Sequence, residues 1–138
     1  LLATDGSVIG EASSSYPVHA PHPGWAESES MDWWLAVGEA VRNAVGNNAG
    51  QVQAIALSGQ MHGVVLADDS GQPLRPAILW ADTRSSATLS YYHALDAAIL
   101  QRLGNPITAG MAGASLLWLR EYEPTVYTEA RWTLQPKD

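Results

Sequence analysis

The spacing of apolar positions changes along the chain, and each change marks an element. Leu1 to Val18 reads as a hairpin, with Asp5-Gly6 supplying the positive φ of a tight turn. "HAPHPGWAESES", His19 to Ser30, is broken by Pro21 and Pro23 and reads as a loop. From Met31 to Val45 the spacing becomes three and four: Trp33 or Trp34, Val37, Ala40 or Val41, and Ala44 predict one apolar face of a helix. Ser28 and Ser30 are its expected caps, and Gly46, Asn47 and Asn48 its end. Val52 to Gly59 is a short apolar run of strand length, expected to be buried. "VVLADDSGQPLRPAILW", Val64 to Trp80, predicts two strands around a turn at Asp69-Ser70-Gly71. Ala87 to Leu103 reads as a helix that stops at Gly104, and "GASLLWLREYEP" as a shorter one that ends at Pro124. "RWTLQ" predicts a last strand. The class is mixed α/β, with hairpins early and helices later.

Composition narrows the function. With 138 residues and 46% hydrophobic content the chain can bury a core, as one modest domain or a piece of a larger one. It carries 14 acidic residues against seven basic ones, a net charge of -7, and the basic residues stand singly. No cluster could neutralise a row of phosphates, which argues against nucleic-acid binding but not against a locally bound nucleotide. Six tryptophans and five tyrosines suit a core, or a pocket that stacks on a polar ligand. There is no cysteine, hence no disulfide framework and no thiolate metal site, in keeping with a reducing compartment. No apolar run is long enough to span a bilayer, so no membrane partner is expected.

Two stretches carry candidate chemistry. In "LSGQMHGVVL" an apolar run stops at Gly59, places Gln60, Met61 and His62 before Gly63, and resumes at Val64. This is the end of an expected buried strand, where α/β folds tend to place ligands. The His62 ring both donates and accepts hydrogen bonds, which suits a sugar hydroxyl. Gly59 and Gly63 permit a sharp turn or a close approach. The alternative is a two-glycine connection bearing an exposed histidine. In "ILWADTR" Trp80, Asp82 and Arg84 alternate, which would place them on one face. A tryptophan platform, a carboxylate acceptor and an arginine holding that carboxylate would make a polyol site. The alternative is a core tryptophan beside a surface ion pair. His19 and His22 lack a third ligand for zinc, and "DDSGQ" lacks the ligand pattern of a calcium loop, so no metal site is expected. The common nucleotide loops and the nucleophile elbow are absent.

Taken together, "PHPGWAESESMDWW", "ALSGQMHGVVL", "LRPAILWADTR", "LLWLREYEP" and "LQPKD" resemble, in order and spacing, the N-terminal part of the FGGY carbohydrate kinases, their xylulokinase branch most closely. The resemblance implies a ribonuclease H-like, actin-type domain, here incomplete because the family's opening glycine-rich strand does not appear. It implies transfer of the ATP γ-phosphoryl group to a ketopentose, D-xylulose giving D-xylulose 5-phosphate, with ATP and Mg2+ as cofactors and a cytoplasmic location. Met61 and His62 take the family's sugar-contacting positions, Trp80 lines the same pocket, and Asp82 is a weaker substrate candidate. The general-base Asp and most of the ATP site are expected in sequence downstream of or before this stretch. The chain is therefore expected to be a fragment of the first domain and inactive by itself. Homodimerisation is left open. The chain departs from the family pattern at Ser115, where a lysine is usual, and at Ala112. Two rival readings are a kinase of another ketose or polyol and a sugar-binding protein that kept the fold without catalysis. A tryptophan-rich carbohydrate-binding module is weaker, because Trp33, Trp34 and Trp118 follow helical spacing.

Overall fold

The Asp5-Gly6 turn forms as the pattern predicts: Gly6 has φ 86° and the Ser7 amide donates to the Asp5 carboxylate at 2.9 Å. In the computed structural model, which describes residues 1–138, that hairpin is closed by a single bridge between Leu2 and Val8. Its second half, toward Val18, is not a strand. Strand β1 (Glu27–Ser28) leaves the proline loop and leads into helix α1 (Ser30–Val45). The residue preceding the helix is Glu29, and no side chain caps it. Ser28 cannot do so because its hydroxyl is buried and donates to the Pro17 carbonyl at 3.0 Å. Gly46, at φ 52°, ends α1 as expected, and a 3-10 turn follows over Gly46–Gln51.

The run from Val52 to Gly59 departs from expectation. It is not a strand, and residues 53 to 63 make no backbone–backbone hydrogen bond. Ile55 and Leu57 are 68% and 57% exposed rather than buried. Apolar spacing gives a segment the means to be a strand, but a ladder needs a neighbour's amides and carbonyls. No segment of this chain supplies them here.

The turn beyond it forms as predicted. Asp68 accepts from the Ser70 amide and hydroxyl and from the Gln72 amide, and Gly71 takes φ 81°. Strands β2 (Val65–Ala67) and β3 (Ala77–Ile78) flank it. Each finds its main partner elsewhere. β3 runs antiparallel to β1, with Glu27 opposite Ile78. β2 runs antiparallel to β4 (Trp132–Leu134), with Leu66 opposite Thr133. A bridge between Val64 and Ile78 joins the two pairs.

The helix expected over Ala87 to Leu103 is in three pieces: a 3-10 turn (Arg84–Thr88), α2 (Leu89–His93) and α3 (Ala97–Leu103). Asp96, at ψ 141°, makes the break between the last two, and Gly104, at φ 69°, provides the predicted stop. Helix α4 (Ala112–Tyr122) is the predicted short helix. Pro124 does more than end it, because it also opens α5 (Pro124–Glu129), at a position where a missing N–H loses nothing. Val64, Leu66 and Ile78 from the strands meet Trp118 and Leu119 from α4 to form the core, with Trp25 and Val126 packed against it. Burying a side chain such as Leu66 or Leu119 contributes about 1.5–3 kcal/mol. This core fixes the strand ends from which the candidate site projects.

Candidate functional site

The loop Gly59–Gly63 lies between the unpaired run and the buried start of β2. His62 has φ 65°, and no other non-glycine residue of the chain has a positive φ. Histidine enters this region more readily than most residues, but the conformation is uncommon enough to point toward function. The two glycines are required by close approach of the chain's own C-terminal segment. A Cβ on Gly63 would lie 2.8 Å from Pro136 Cγ, and one on Gly59 would lie 3.1 Å from the Lys137 backbone nitrogen. The β2–β4 pairing brings that segment here, as Val65 stands opposite Leu134. The loop is thus clamped from behind, and Met61 is left 72% exposed at its tip.

Trp80 sits at the same end of the strands. The register that sets Val64 opposite Ile78 runs His62 and Trp80 toward one edge, and the Gln60 side chain accepts from the Trp80 amide at 3.5 Å. Trp80 is 62% exposed, so it is not a core tryptophan. It occupies a turn in which the Asp82 amide donates to the Leu79 carbonyl at 3.0 Å. That turn overturns the expected alternation: Trp80 faces solvent, whereas Asp82 and Arg84 are buried.

Asp82 is therefore corrected as a substrate candidate. One of its carboxylate oxygens accepts from the Arg84 amide at 2.8 Å and Nε at 3.0 Å. The other accepts from the Ala26 amide at 2.6 Å and Arg84 Nη2 at 2.8 Å. These bonds occupy its acceptor sites, leaving none for a hydroxyl. Arg84 also donates to Glu27 at 2.8 Å, and its guanidinium stacks 3.5 Å from the centre of the Trp25 ring. Glu27 further pairs with Arg75, which reaches Glu123 at 2.9 Å. Removing one partner of a buried pair of this kind costs about 3–5 kcal/mol.

Gly110 was not singled out in the sequence, and it matters. At φ 84° its Cα lies so near that an added Cβ would be 2.1 Å from the Trp80 carbonyl oxygen. It presses the segment before α4 against the turn that carries Trp80. The only sequence signal was a glycine between apolar residues in "ITAGMAG". Beyond it, a cavity of about 190 Å³ is lined by His62, Tyr92, Asn105, Ile107, Met111 and Gly113, among others. A second, of about 320 Å³, lies along Tyr16, Trp33, Ser58, Gly59 and Gln60. The first is smaller than the roughly 300–1,000 Å³ of a complete ligand pocket, as part of a site would be. Ser115 and Ala112 lie on α4, Ser115 fully buried and Ala112 against the core.

No group of three or more His, Cys, Asp or Glu side chains is placed to hold a metal ion. No phosphoryl-transfer step is assigned to these residues. At this end of the strands Met61 and Trp80 are exposed, and His62 lines the smaller cavity. No helix is long and apolar enough to cross a membrane.

Comparison with known proteins gives the family. A xylulose kinase of Klebsiella pneumoniae is 36% identical over 140 residues, covering all of this chain and 29% of that protein. One of Escherichia coli (strain K12) is 34% identical with the same coverage. A crystal structure of a xyloylose kinase from Brucella ovis superposes with a TM-score of 0.91 at 33% identity, over 99% of this chain and 29% of that one. A xylulose kinase from Rhodospirillum rubrum gives 0.79 at 26% identity, over 89% of this chain and 27% of that one. The chain thus spans less than a third of the length of these relatives. The profile of the FGGY family of carbohydrate kinases, N-terminal domain, matches residues 1–138, and the chain belongs to that family.

Proposed function

We propose that the protein carrying this domain is an ATP-dependent sugar kinase that phosphorylates D-xylulose to D-xylulose 5-phosphate, and that this domain holds the sugar. The domain is read as part of a ribonuclease H-like, actin-type fold. The observation that carries the reading is the match of residues 1–138 to the N-terminal domain of the FGGY carbohydrate kinases, with the left-handed His62 beside the exposed Met61 and, across the strand ends, the exposed Trp80 as the contact surface. Met61 and Trp80 supply apolar surface for the C–H faces of a sugar, and His62 exchanges hydrogen bonds with its hydroxyls. Gly59 and Gly63 hold the loop against Pro136 and Lys137, so that Met61 and His62 keep their places. The names of the relatives support D-xylulose as the acceptor. The nucleotide, its Mg2+ and the general base belong to the remainder of such a kinase, and phosphoryl transfer requires both partners to be positioned.

The test is ADP release by the full-length protein that carries this domain, with D-xylulose, L-xylulose, D-ribulose, glycerol or no sugar. D-xylulose should drive release most strongly. Another sugar in that place would correct the substrate, and no sugar-dependent release would favour a binding protein of the same fold. His62→Ala should then raise the sugar KM about tenfold, the worth of one lost hydrogen bond, and leave the ATP KM nearly unchanged. An unaltered sugar KM and rate would remove His62 from the site.

A further inference from the structure

We infer that Asp82 and Arg84 are positioning residues for Trp80, fixing the turn that presents it without touching substrate; the inference rests on the sugar-site reading above. Four hydrogen bonds tie the loop before β1 to the turn after β3. The Leu79 amide donates to the Ala26 carbonyl at 3.0 Å, and the Ala26 amide donates to Asp82 at 2.6 Å. The Thr83 amide and hydroxyl both donate to the Gly24 carbonyl, at 2.8 and 3.0 Å. Arg84 stands behind this lattice, its side chain 1% exposed, bound to Asp82 and Glu27 and stacked on Trp25.

Residues on either side of Trp80 are thus held, while its own ring is free. Leu79 is 5% and Asp82 1% exposed, against 62% for Trp80. Gly110 closes the remaining direction, since its backbone lies against the carbonyls of Trp80 and Asp82. A turn fixed from both sides gives the indole a defined backbone from which to meet a ligand, and loosening it displaces that face. Small displacements of a positioning group have large kinetic effects. The aspartate in this arrangement acts through hydrogen bonds to backbone, and the arginine acts through the aspartate.

The experiment compares Asp82→Asn, Thr83→Val and Trp80→Ala in the full-length protein that carries this domain, reading the KM for D-xylulose and for ATP separately. The amide of Asp82→Asn turns one acceptor oxygen into a donor facing either Ala26 N–H or Arg84. It should raise the sugar KM about tenfold and leave the ATP KM within about twofold. Thr83 is exposed, so Thr83→Val keeps the core intact, and it should raise the sugar KM about threefold through the same turn. A merely structural role would lower the amount of folded protein, which leaves KM unchanged. If Asp82→Asn does not fold, Thr83→Val decides alone by the same split. An unchanged sugar KM in the recovered variants, with Trp80→Ala raising it, overturns the positioning role and spares the site. An unchanged sugar KM in Trp80→Ala overturns Trp80 as a sugar contact, and the positioning role with it.

Discussion

Replacing Gly110 by alanine tests the packing that brings the segment before α4 against Trp80. Gly110 sits at φ 84°, where a Cβ costs about 1–2 kcal/mol in any surroundings. Here it would also lie 2.1 Å from the Trp80 carbonyl oxygen and 3.3 Å from that of Asp82. Both are backbone atoms, so no side chain can swing aside. Relief requires the two backbones to part by roughly 1 Å in an interior that is otherwise close-packed. That movement loosens the Asp82 amide's bond to Leu79 and the Leu79 amide's bond to Ala26, each 3.0 Å long and worth about 1 kcal/mol. The total loss is about 3–4 kcal/mol. Gly71 is the matched control, because it has φ 81° with nothing within 4 Å of an added Cβ. Gly71→Ala should therefore lose only the conformational part, about 1–2 kcal/mol. Urea denaturation followed by circular dichroism, with both variants at equal slope, measures the difference. A Gly110→Ala loss within about 0.5 kcal/mol of the Gly71→Ala loss would show that the backbones are not in contact as described.

Leu66 is 1% exposed at the centre of the core, and Leu66→Ala should cost about 2–5 kcal/mol by the same measurement, where a loss below about 1 kcal/mol would contradict its placement. The Asp68 carboxyl is held below its ordinary value of 3.8, chiefly by the Ser70 hydroxyl and next by the Gln72 amide. A depressed folded pKa means this turn contributes stability above the unfolded value and loses it as pH falls through the folded one. NMR titration of Asp68 should give a midpoint below 3.8 that moves back toward it in Ser70→Ala, and a midpoint at or above 3.8 in the parent would refute the turn.

Local chemistry was legible wherever the decisive partners are close in sequence. The Asp5-Gly6 and Asp68–Gly71 turns, the body of α1 with its stop at Gly46, the stop at Gly104, and the strand at Trp132–Leu134 follow from residue type and spacing. The proposal of Met61, His62 and Trp80 as one site came from the resemblance to the FGGY kinases, since spacing alone left an exposed histidine in a two-glycine connection and a core tryptophan as open readings. The N-cap of α1 was misread because Ser28 has a competing partner in Pro17, and sequence spacing does not reveal such competition.

The rest depended on contacts between residues far apart in the chain. Alternation placed Asp82 and Arg84 beside Trp80, but Ala26, 56 residues away, draws Asp82 inward and a turn reverses the facing. The same holds for Gly63, where the need for glycine comes from Pro136, and for Gly110, where it comes from Trp80. The run Val52 to Gly59 has the apolar pattern of a strand, and within these 138 residues no segment pairs with it. Periodicity is a property of one segment, whereas a ladder, a buried ion pair and a backbone contact are each properties of two. The sequence alone determined the local turns and stops and the residue types on offer, and the tertiary structure decided which of those side chains reach solvent and which are buried in hydrogen bonds, because burial and pairing depend on partners far away in the chain.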